Sequence, residues 1–126
     1  MTAQRVLIVD DNKDAASSLG RLLTLLGHET HVVHDGPAAL SAVSEFQPQV
    51  VFLDLGMPGM DGFETAAQMR AVPGGDRLSI VALTGWGERE DRERTERAGF
   101  AAHLIKPVNV DQLETALKGL PPSAKT

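Results

Sequence analysis

The sequence predicts an α/β fold in which one doubly wound sheet of five parallel strands is flanked by five helices. Five short apolar runs, RVLIV, THVV, VVFL, IVAL and HLI, recur along the chain, and segments with helical spacing of apolar residues alternate with them. Strict alternation of strand and helix implies right-handed crossovers and helices on both faces of a parallel sheet. The 126 residues fit one domain. We expect it to span residues 1–120, with residues 121–126 as a flexible C-terminal tail or linker remnant.

Local signals predict where the helices begin and end. Gly27 is the expected C-terminal cap of the first helix, Pro37 opens the second, and Asn109 with Gln112 forms a capping box at the start of the fifth. Four helices have an apolar face, formed by Leu19, Leu22, Leu23 and Leu26, by Leu40, Val43 and Phe46, by Phe63, Ala66 and Ala67, and by Val110, Leu113 and Leu117. The fourth helix, residues 88–97, consists mainly of acids and arginines spaced for i,i+4 ion pairs, so we expect a solvated and mobile helix.

Composition and charge exclude several classes of protein. The net charge of −5 argues against a nucleic-acid partner, because such partners require clustered Lys and Arg. The absence of cysteine excludes disulfides and thiolate metal sites. No apolar stretch approaches the length of a membrane span, and the first residues show no signal-peptide pattern. We therefore expect a cytoplasmic protein that binds neither nucleic acid nor membrane.

Polar side chains end four of the predicted strands. Asp10 and Asp11 follow the first strand, Asp54 ends the third, Thr84 the fourth and Lys106 the fifth. Taken singly, each has an ordinary structural explanation as a helix cap, a turn residue or a solvated charge. The carboxyl ends of parallel strands meet at one edge of the sheet, where open sheets bind ligands. The five residues together therefore predict a functional site at that edge.

The residue types at this edge point to phosphoryl transfer. Three close carboxylates must either raise their pKa values or bind a cation, and oxygen ligands favour Mg²⁺. Asp10 and Asp11 would then hold the metal, while Asp54 acts as a nucleophile that forms an aspartyl phosphate. Lys106 and the Thr84 hydroxyl would supply positive charge and a donor to the transferring oxygens.

The stretches VLIVDDN, VVFLDLGMPGMDG, ALTG and LIKPV resemble the receiver domain of two-component response regulators. The resemblance implies the flavodoxin-like (βα)5 fold and a phosphorelay function, in which a histidine kinase or histidine phosphotransfer protein phosphorylates Asp54 and the protein switches conformation. It also implies self-catalysed phosphorylation from small donors such as acetyl phosphate and self-catalysed hydrolysis, without turnover of an external substrate. Residues 83–108 look especially like receivers of hybrid sensor kinases, and a parent chain of that kind would be a histidine kinase.

The resemblance also assigns roles at the predicted site. It implies that Thr84 and Lys106 contact the phosphoryl group, and that the Lys106–Pro107 bond is cis. It implies a Mg²⁺ site formed by Asp10, Asp11, Asp54 and the backbone carbonyl of Gly56.

Two residues near the site raise separate questions. The family usually has Tyr or Phe three residues before the lysine, a ring that turns inward when the threonine moves. This chain has His103, which either performs the same rotation or alters the switch. Trp86, the single tryptophan, either packs against the neighbouring helix or forms a lid that slows hydrolysis of the phosphoprotein.

Other functions fit the sequence less well. His28, His31 and His34 are spaced so that they would not converge on a metal. A flavin-binding relative would need amides and hydroxyls where DDNKDA has carboxylates, and an aspartate-nucleophile phosphatase would need an acid where Gly56 stands. The remaining alternative is a receiver-like interaction module that works without phosphorylation.

Overall fold

The apolar runs of the sequence form the strands of one sheet. The structure, a computed structural model, describes residues 4–57, 59, 61–85 and 89–118, with the backbone only for residues 89–92. The strands are β1 (Arg5–Val9), β2 (Glu29–Val33), β3 (Val50–Asp54), β4 (Ser79–Thr84) and β5 (Ala102–Ile105). The helices are α1 (Lys13–Leu25), α2 (Gly36–Phe46), α3 (Gly62–Ala71), α4 (Arg89–Arg97) and α5 (Val110–Lys118), and a 3-10 turn at Gly75–Arg77 precedes β4.

The sheet is parallel throughout, with strand order β2-β1-β3-β4-β5. This confirms the predicted doubly wound fold. The chain moves outward from β1 to β2 and then crosses back to β3, so the direction of winding reverses between β1 and β3. Ligands of open α/β sheets bind outside the carboxyl ends of the strands at such a reversal. Here the two strand ends carry Asp10 and Asp54.

Two apolar layers cover the two faces of the sheet. On one face α1 and α5 pack on the sheet through five buried side chains, Ala16, Leu19, Leu23, Leu113 and Leu117. On the other face α2 and α3 contribute Ala39, Ala42, Val43, Ala66 and Met69. Every residue of β3 is buried, as expected of a strand covered on both sides.

Most helix ends follow the sequence signals. Asn109 Oδ1 accepts a hydrogen bond from the Gln112 amide (2.8 Å), and Gln112 Oε1 accepts one from the Asn109 amide (3.0 Å), which confirms the capping box. Gly27, with φ of 97°, follows the last turn of α1 in the left-handed region.

Two predictions of apolar faces are wrong. The Val110 side chain is 38% exposed, and Val108, just before the helix, packs on the core instead. Ala67 is exposed, and Met69 is buried on α3 instead.

Among the residues that the structure describes, we find no helix with the length and apolar content that crossing a membrane requires.

Candidate functional site

The carboxyl edge of the sheet brings the predicted site residues together. Asp10 directly follows β1, Asp54 and Thr84 are the last residues of β3 and β4, and Lys106 directly follows β5. Because β1, β3, β4 and β5 are consecutive neighbours in the sheet, these four strand ends adjoin one another. Asp11 lies next to Asp10 and is exposed, whereas Asp10, Asp54 and Thr84 are each at most 6% exposed.

Lys106 bridges the two buried carboxylates. Its Nζ lies 2.8 Å from Asp10 Oδ2 and 3.1 Å from Asp54 Oδ2. Burial by itself would lower the pKa of the Lys106 ammonium, but hydrogen bonds and charge from the two aspartates outweigh burial and raise the pKa. Lys106 therefore remains charged at neutral pH and holds its ammonium where the two carboxylates meet.

Backbone amides orient the same two carboxylates. The Asn12 amide donates to Asp10 Oδ1 (3.0 Å), and the Gly56 amide donates to Asp54 Oδ1 (2.9 Å). Burial raises the pKa of the Asp10 carboxyl, and the hydrogen bonds from Lys106 and Asn12 oppose this shift. Each carboxylate is thus held through both of its oxygens before any ligand binds.

The three acids match the requirements of a magnesium site. One carboxylate oxygen from each of Asp10, Asp11 and Asp54 lies within 4.8 Å of the others. Carboxylate oxygens are ligands that Mg²⁺ prefers, and these three are close enough to be drawn towards one cation. Lys106 balances only one of the three negative charges, which leaves an excess that suits a divalent cation.

Thr84 contacts the histidine that stands in place of the family's usual aromatic residue. His103 Nε2 lies 3.1 Å from Thr84 Oγ1, and His103 Nδ1 lies 3.2 Å from Thr95 Oγ1 on α4. The neighbouring Lys106–Pro107 peptide bond is cis, which confirms the prediction for this bond.

Two polar residues beside the site were not predicted from the sequence. His34 Nδ1 lies 2.9 Å from the Asp10 backbone carbonyl, and Thr95 contacts His103 as described above. Thr95 could have been noticed, because it is the one uncharged residue in the α4 sequence REDRERTER. His34 gave no comparable signal.

The predictions for the three histidines and for Trp86 remain to be compared with the structure. His28 accepts a hydrogen bond from the Gln4 amide (3.1 Å) and the His31 ring lies against Phe46, so the three histidines have separate neighbours, as expected. Among the described residues, the one group of acids and histidines close enough to share a metal is that of the three aspartates. Trp86 lies outside the described residues, so the lid stays a prediction.

Comparison with known proteins identifies this arrangement. The family model "Response regulator receiver domain" matches residues 6–118. The chain belongs to this receiver family. Sporulation initiation phosphotransferase F of Bacillus subtilis is 29% identical to it over 118 residues, covering 94% of each chain. Several other relatives are longer, and the receiver spans 24% to 50% of their length.

Solved receiver structures share the fold. A CheY-like response regulator receiver domain from Methylobacillus flagellatus superposes with a TM-score of 0.83 at 32% identity, covering 93% of this chain and 98% of that one. The receiver domain of sensor histidine kinase PA1611 from Pseudomonas aeruginosa gives 0.81 at 29% identity, covering 93% and 96%. That structure has a magnesium ion coordinated in its active-site cleft. The family therefore places this chain in two-component phosphorelay signalling.

Proposed function

We propose that Asp54 is the phosphoacceptor of this receiver and that its phosphorylation depends on Mg²⁺ held by Asp10, Asp11, Asp54 and the backbone carbonyl of Gly56. The observation that carries the proposal is the Lys106 ammonium within 3.1 Å of Asp54, at an edge where three carboxylates converge. A buried nucleophile beside a fixed cation is the arrangement that phosphoryl transfer requires.

The chemistry follows from the positions of the side chains. An oxygen of Asp54 attacks the phosphorus of a phosphohistidine, a P–O bond forms, the P–N bond breaks, and the imidazole leaves with its electron pair and takes up a proton. Lys106 moves little, since it already contacts Asp54, and its charge neutralises the transferring oxygens. The Thr84 hydroxyl donates to one of those oxygens. Bound Mg²⁺ would supply further positive charge there.

The same site serves small phosphodonors and hydrolysis. Acetyl phosphate requires no protein–protein contact, so the residues at this edge are sufficient for self-catalysed phosphorylation. Loss of the phosphoryl group requires a water in line with the P–O bond to Asp54. Gly56, two residues beyond Asp54, has no side chain to orient that water. We therefore propose slow hydrolysis, without turnover of an external substrate.

A groove beside the site supports the proposal that the phosphoryl group comes from a protein donor. It has a volume of about 470 Å³ and is open to solvent between α1 and the segment after β5. Asp10, Ser18 and Lys106 line it together with six apolar side chains, Ala15, Leu19, Leu22, Leu83, Pro107 and Val108. We propose that the domain carrying the donor histidine docks here. A Leu22→Glu variant should accept phosphate more slowly from a purified histidine phosphodonor protein and at the wild-type rate from acetyl phosphate; equal slowing with both donors would contradict docking at the groove.

The decisive test is mass measurement after incubation with acetyl phosphate. Wild-type protein with Mg²⁺ should gain one phosphoryl group, which chelation of the metal should prevent. Asp54→Asn should gain none. Asp76→Asn is the matched control, because Asp76 is an exposed acid in the turn that precedes β4, at the opposite end of that strand.

Two results would overturn the proposal. Phosphorylation of Asp54→Asn at the wild-type rate would show that another residue is the acceptor. Failure of the wild type to accept phosphate from either acetyl phosphate or phosphoramidate would favour an interaction module that works without phosphorylation.

A further inference from the structure

A chain of three polar side chains connects the site to α4. Thr84 ends β4, Thr95 lies on α4, and His103 on β5 lies between them, with its two ring nitrogens 3.1 and 3.2 Å from the two hydroxyl oxygens. Thr84 is 3% and Thr95 1% exposed. The two hydroxyl ends of the chain are therefore buried, and the His103 ring between them is partly buried.

A neutral imidazole has one N–H donor and one acceptor nitrogen, so the chain has two directions. In the Nδ1–H form, Nδ1 donates to Thr95 and Nε2 accepts the Thr84 hydroxyl proton. In the Nε2–H form, Nε2 donates to Thr84 and Nδ1 accepts the Thr95 hydroxyl proton. The two forms have the same heavy-atom positions and differ in where three protons lie.

In the unphosphorylated protein, the Nδ1–H form lets Thr95 donate to its own helix. A threonine within a helix can donate to the carbonyl one turn earlier, while the lone pairs of its hydroxyl oxygen still accept. In the Nδ1–H form, donation then runs in a single direction from Thr84 through His103 to Thr95 and its helix. The Nε2–H form also satisfies both ring nitrogens, but it uses the Thr95 proton for Nδ1, so we assign the Nδ1–H form to the unphosphorylated protein.

A phosphoryl group on Asp54 requires the opposite order. Phosphoryl oxygens accept hydrogen bonds, so the Thr84 hydroxyl must donate its single proton to them and can no longer donate to Nε2. If His103 keeps its contact, Nε2 must carry the proton. Nδ1 must then accept from Thr95, whose proton is no longer available for its own helix.

We propose that Thr84, His103 and Thr95 form a hydrogen-bond relay that reverses direction when Asp54 is phosphorylated, so that the signal reaches α4 through Thr95. The relay rests on the proposed role of Asp54. One proton leaves Nδ1 and one binds Nε2 by exchange with water, so the ring stays neutral. His103 and Thr95 are positioning residues, because they act on the phosphoryl group through Thr84. Coupling of this kind is reciprocal, so α4 also biases Thr84.

The protonated nitrogen of His103 can be observed directly. We suggest long-range ¹H–¹⁵N correlation spectra of the full chain with Mg²⁺, with and without beryllofluoride as a phosphoryl mimic, at pH 8, above the ordinary histidine pKa of about 6.5. Two other histidines provide references. His28 Nδ1 accepts from a backbone amide, which requires the Nε2–H form, and His34 Nδ1 faces a backbone carbonyl, which requires the Nδ1–H form.

If the relay operates, beryllofluoride should change which ring nitrogen of His103 carries the proton. Without beryllofluoride, His103 should resemble His34, and with it His103 should resemble His28. A ring that is already wholly in the Nε2–H form without beryllofluoride, or that stays in the Nδ1–H form with it, overturns the relay. If beryllofluoride does not bind, or binds equally to Asp54→Asn, the proposed function itself is wrong and the relay fails with it.

A pair of variants tests the α4 end. Thr95→Val removes the hydroxyl and nearly keeps the side-chain shape, whereas Thr95→Ser keeps the hydroxyl. In Thr95→Val, the beryllofluoride-induced shifts of backbone amides 93–98 should fall to less than half of the wild-type shifts, and Thr95→Ser should restore them. Wild-type shifts in Thr95→Val, with beryllofluoride bound, would show that the signal does not pass through this hydroxyl.

Discussion

Helices α1 and α4 both follow strands whose ends form the site, but they dock on the sheet in different ways. α1 buries Ala16, Leu19 and Leu23 in the apolar layer that includes Phe52. Among its described side chains, α4 buries Thr95. Complete burial of one leucine contributes about 1.5–3 kcal/mol, which a buried threonine hydroxyl does not match. The helix next to Asp10 and Asp11 is therefore the more firmly attached of the two.

Contacts at the protein surface attach the C-terminal part of α4 to α3. The Arg70 guanidinium on α3 donates to the backbone carbonyls of Ala98 (3.3 Å) and Gly99 (2.7 Å), and the Arg94 guanidinium lies 4.1 Å from the centre of the Phe63 ring. An exposed cation–π contact contributes about 0.5–1 kcal/mol. Contacts of this size are easily broken and remade, which suits the proposed relay, in which α4 responds to the site while α1 stays fixed.

Amide hydrogen exchange gives the strongest test of the difference in attachment between α1 and α4. We expect amides 93–97 of α4 to exchange about 100-fold faster than amides 19–23 of α1, because α4 can open locally whereas α1 opens only when its apolar layer is lost. Helix α5, which buries Leu113 and Leu117, is the internal control and should behave like α1. Equal protection of α1 and α4 would show that the polar contacts hold α4 as firmly as apolar burial holds α1.

Two leucines on α1 test the apolar attachment itself. Leu23 is fully buried and Leu25, two residues further on, is 82% exposed. Leu23→Ala should lower the free energy of unfolding by about 2–5 kcal/mol, because it leaves a cavity under the helix. Leu25→Ala should change it by less than about 0.5 kcal/mol. Urea denaturation of both variants measures the difference, and similar losses in the two would refute this account of α1 docking.

The sequence predicted the attachment of α1 better than that of α4 for a physical reason. Leu19 and Leu23 recur at helical spacing, and apolar burial is nearly independent of the partner's identity, so periodicity alone indicates the buried face. In the sequence, Arg94 is part of a charge pattern that is typical of a solvated helix, and nothing more. Its neighbour Glu93 does form the expected i,i+4 pair with Arg97 (3.8 Å), but the ring under Arg94 comes from residue 63, distant in the chain.

The same distinction applies to the site. Asp10, Asp54 and Lys106 could be placed because each lies at the end of an apolar run, and a parallel sheet aligns those ends. The link from His103 to Thr95 could not, since it depends on how α4 sits on the sheet and on which way an imidazole ring turns. Directional contacts between distant segments leave little trace in local sequence patterns.

Arg70 allows α4 to be loosened without touching the site. Arg70→Met keeps an unbranched apolar stem and removes both hydrogen bonds to the Ala98 and Gly99 carbonyls. The free energy of unfolding should fall by about 1 kcal/mol, and exchange in α4 should accelerate by about fivefold, because local opening of α4 breaks the same hydrogen bonds. Arg77→Met, an exposed arginine in the turn before β4, is the matched control. Unchanged exchange in α4 of Arg70→Met would show that these hydrogen bonds do not hold α4.

The smallest expected effect is on the pH dependence of the free energy of unfolding. It arises from His28, a buried residue between α1 and β2. Burial lowers the pKa of its imidazole below the ordinary value of 6.5. The unfolded chain therefore binds a proton at a higher pH than the folded chain, so stability is lost as pH falls from about 7 through 6.5 towards the lowered native pKa.

His28→Gln retains an acceptor for the Gln4 amide and removes the titration. The difference in unfolding free energy between this variant and the wild type should be constant above pH 7 and should shift in favour of the variant as pH falls to 5. Parallel curves over that range would mean that the burial of His28 is not linked to stability, and that the acid sensitivity of the domain arises elsewhere.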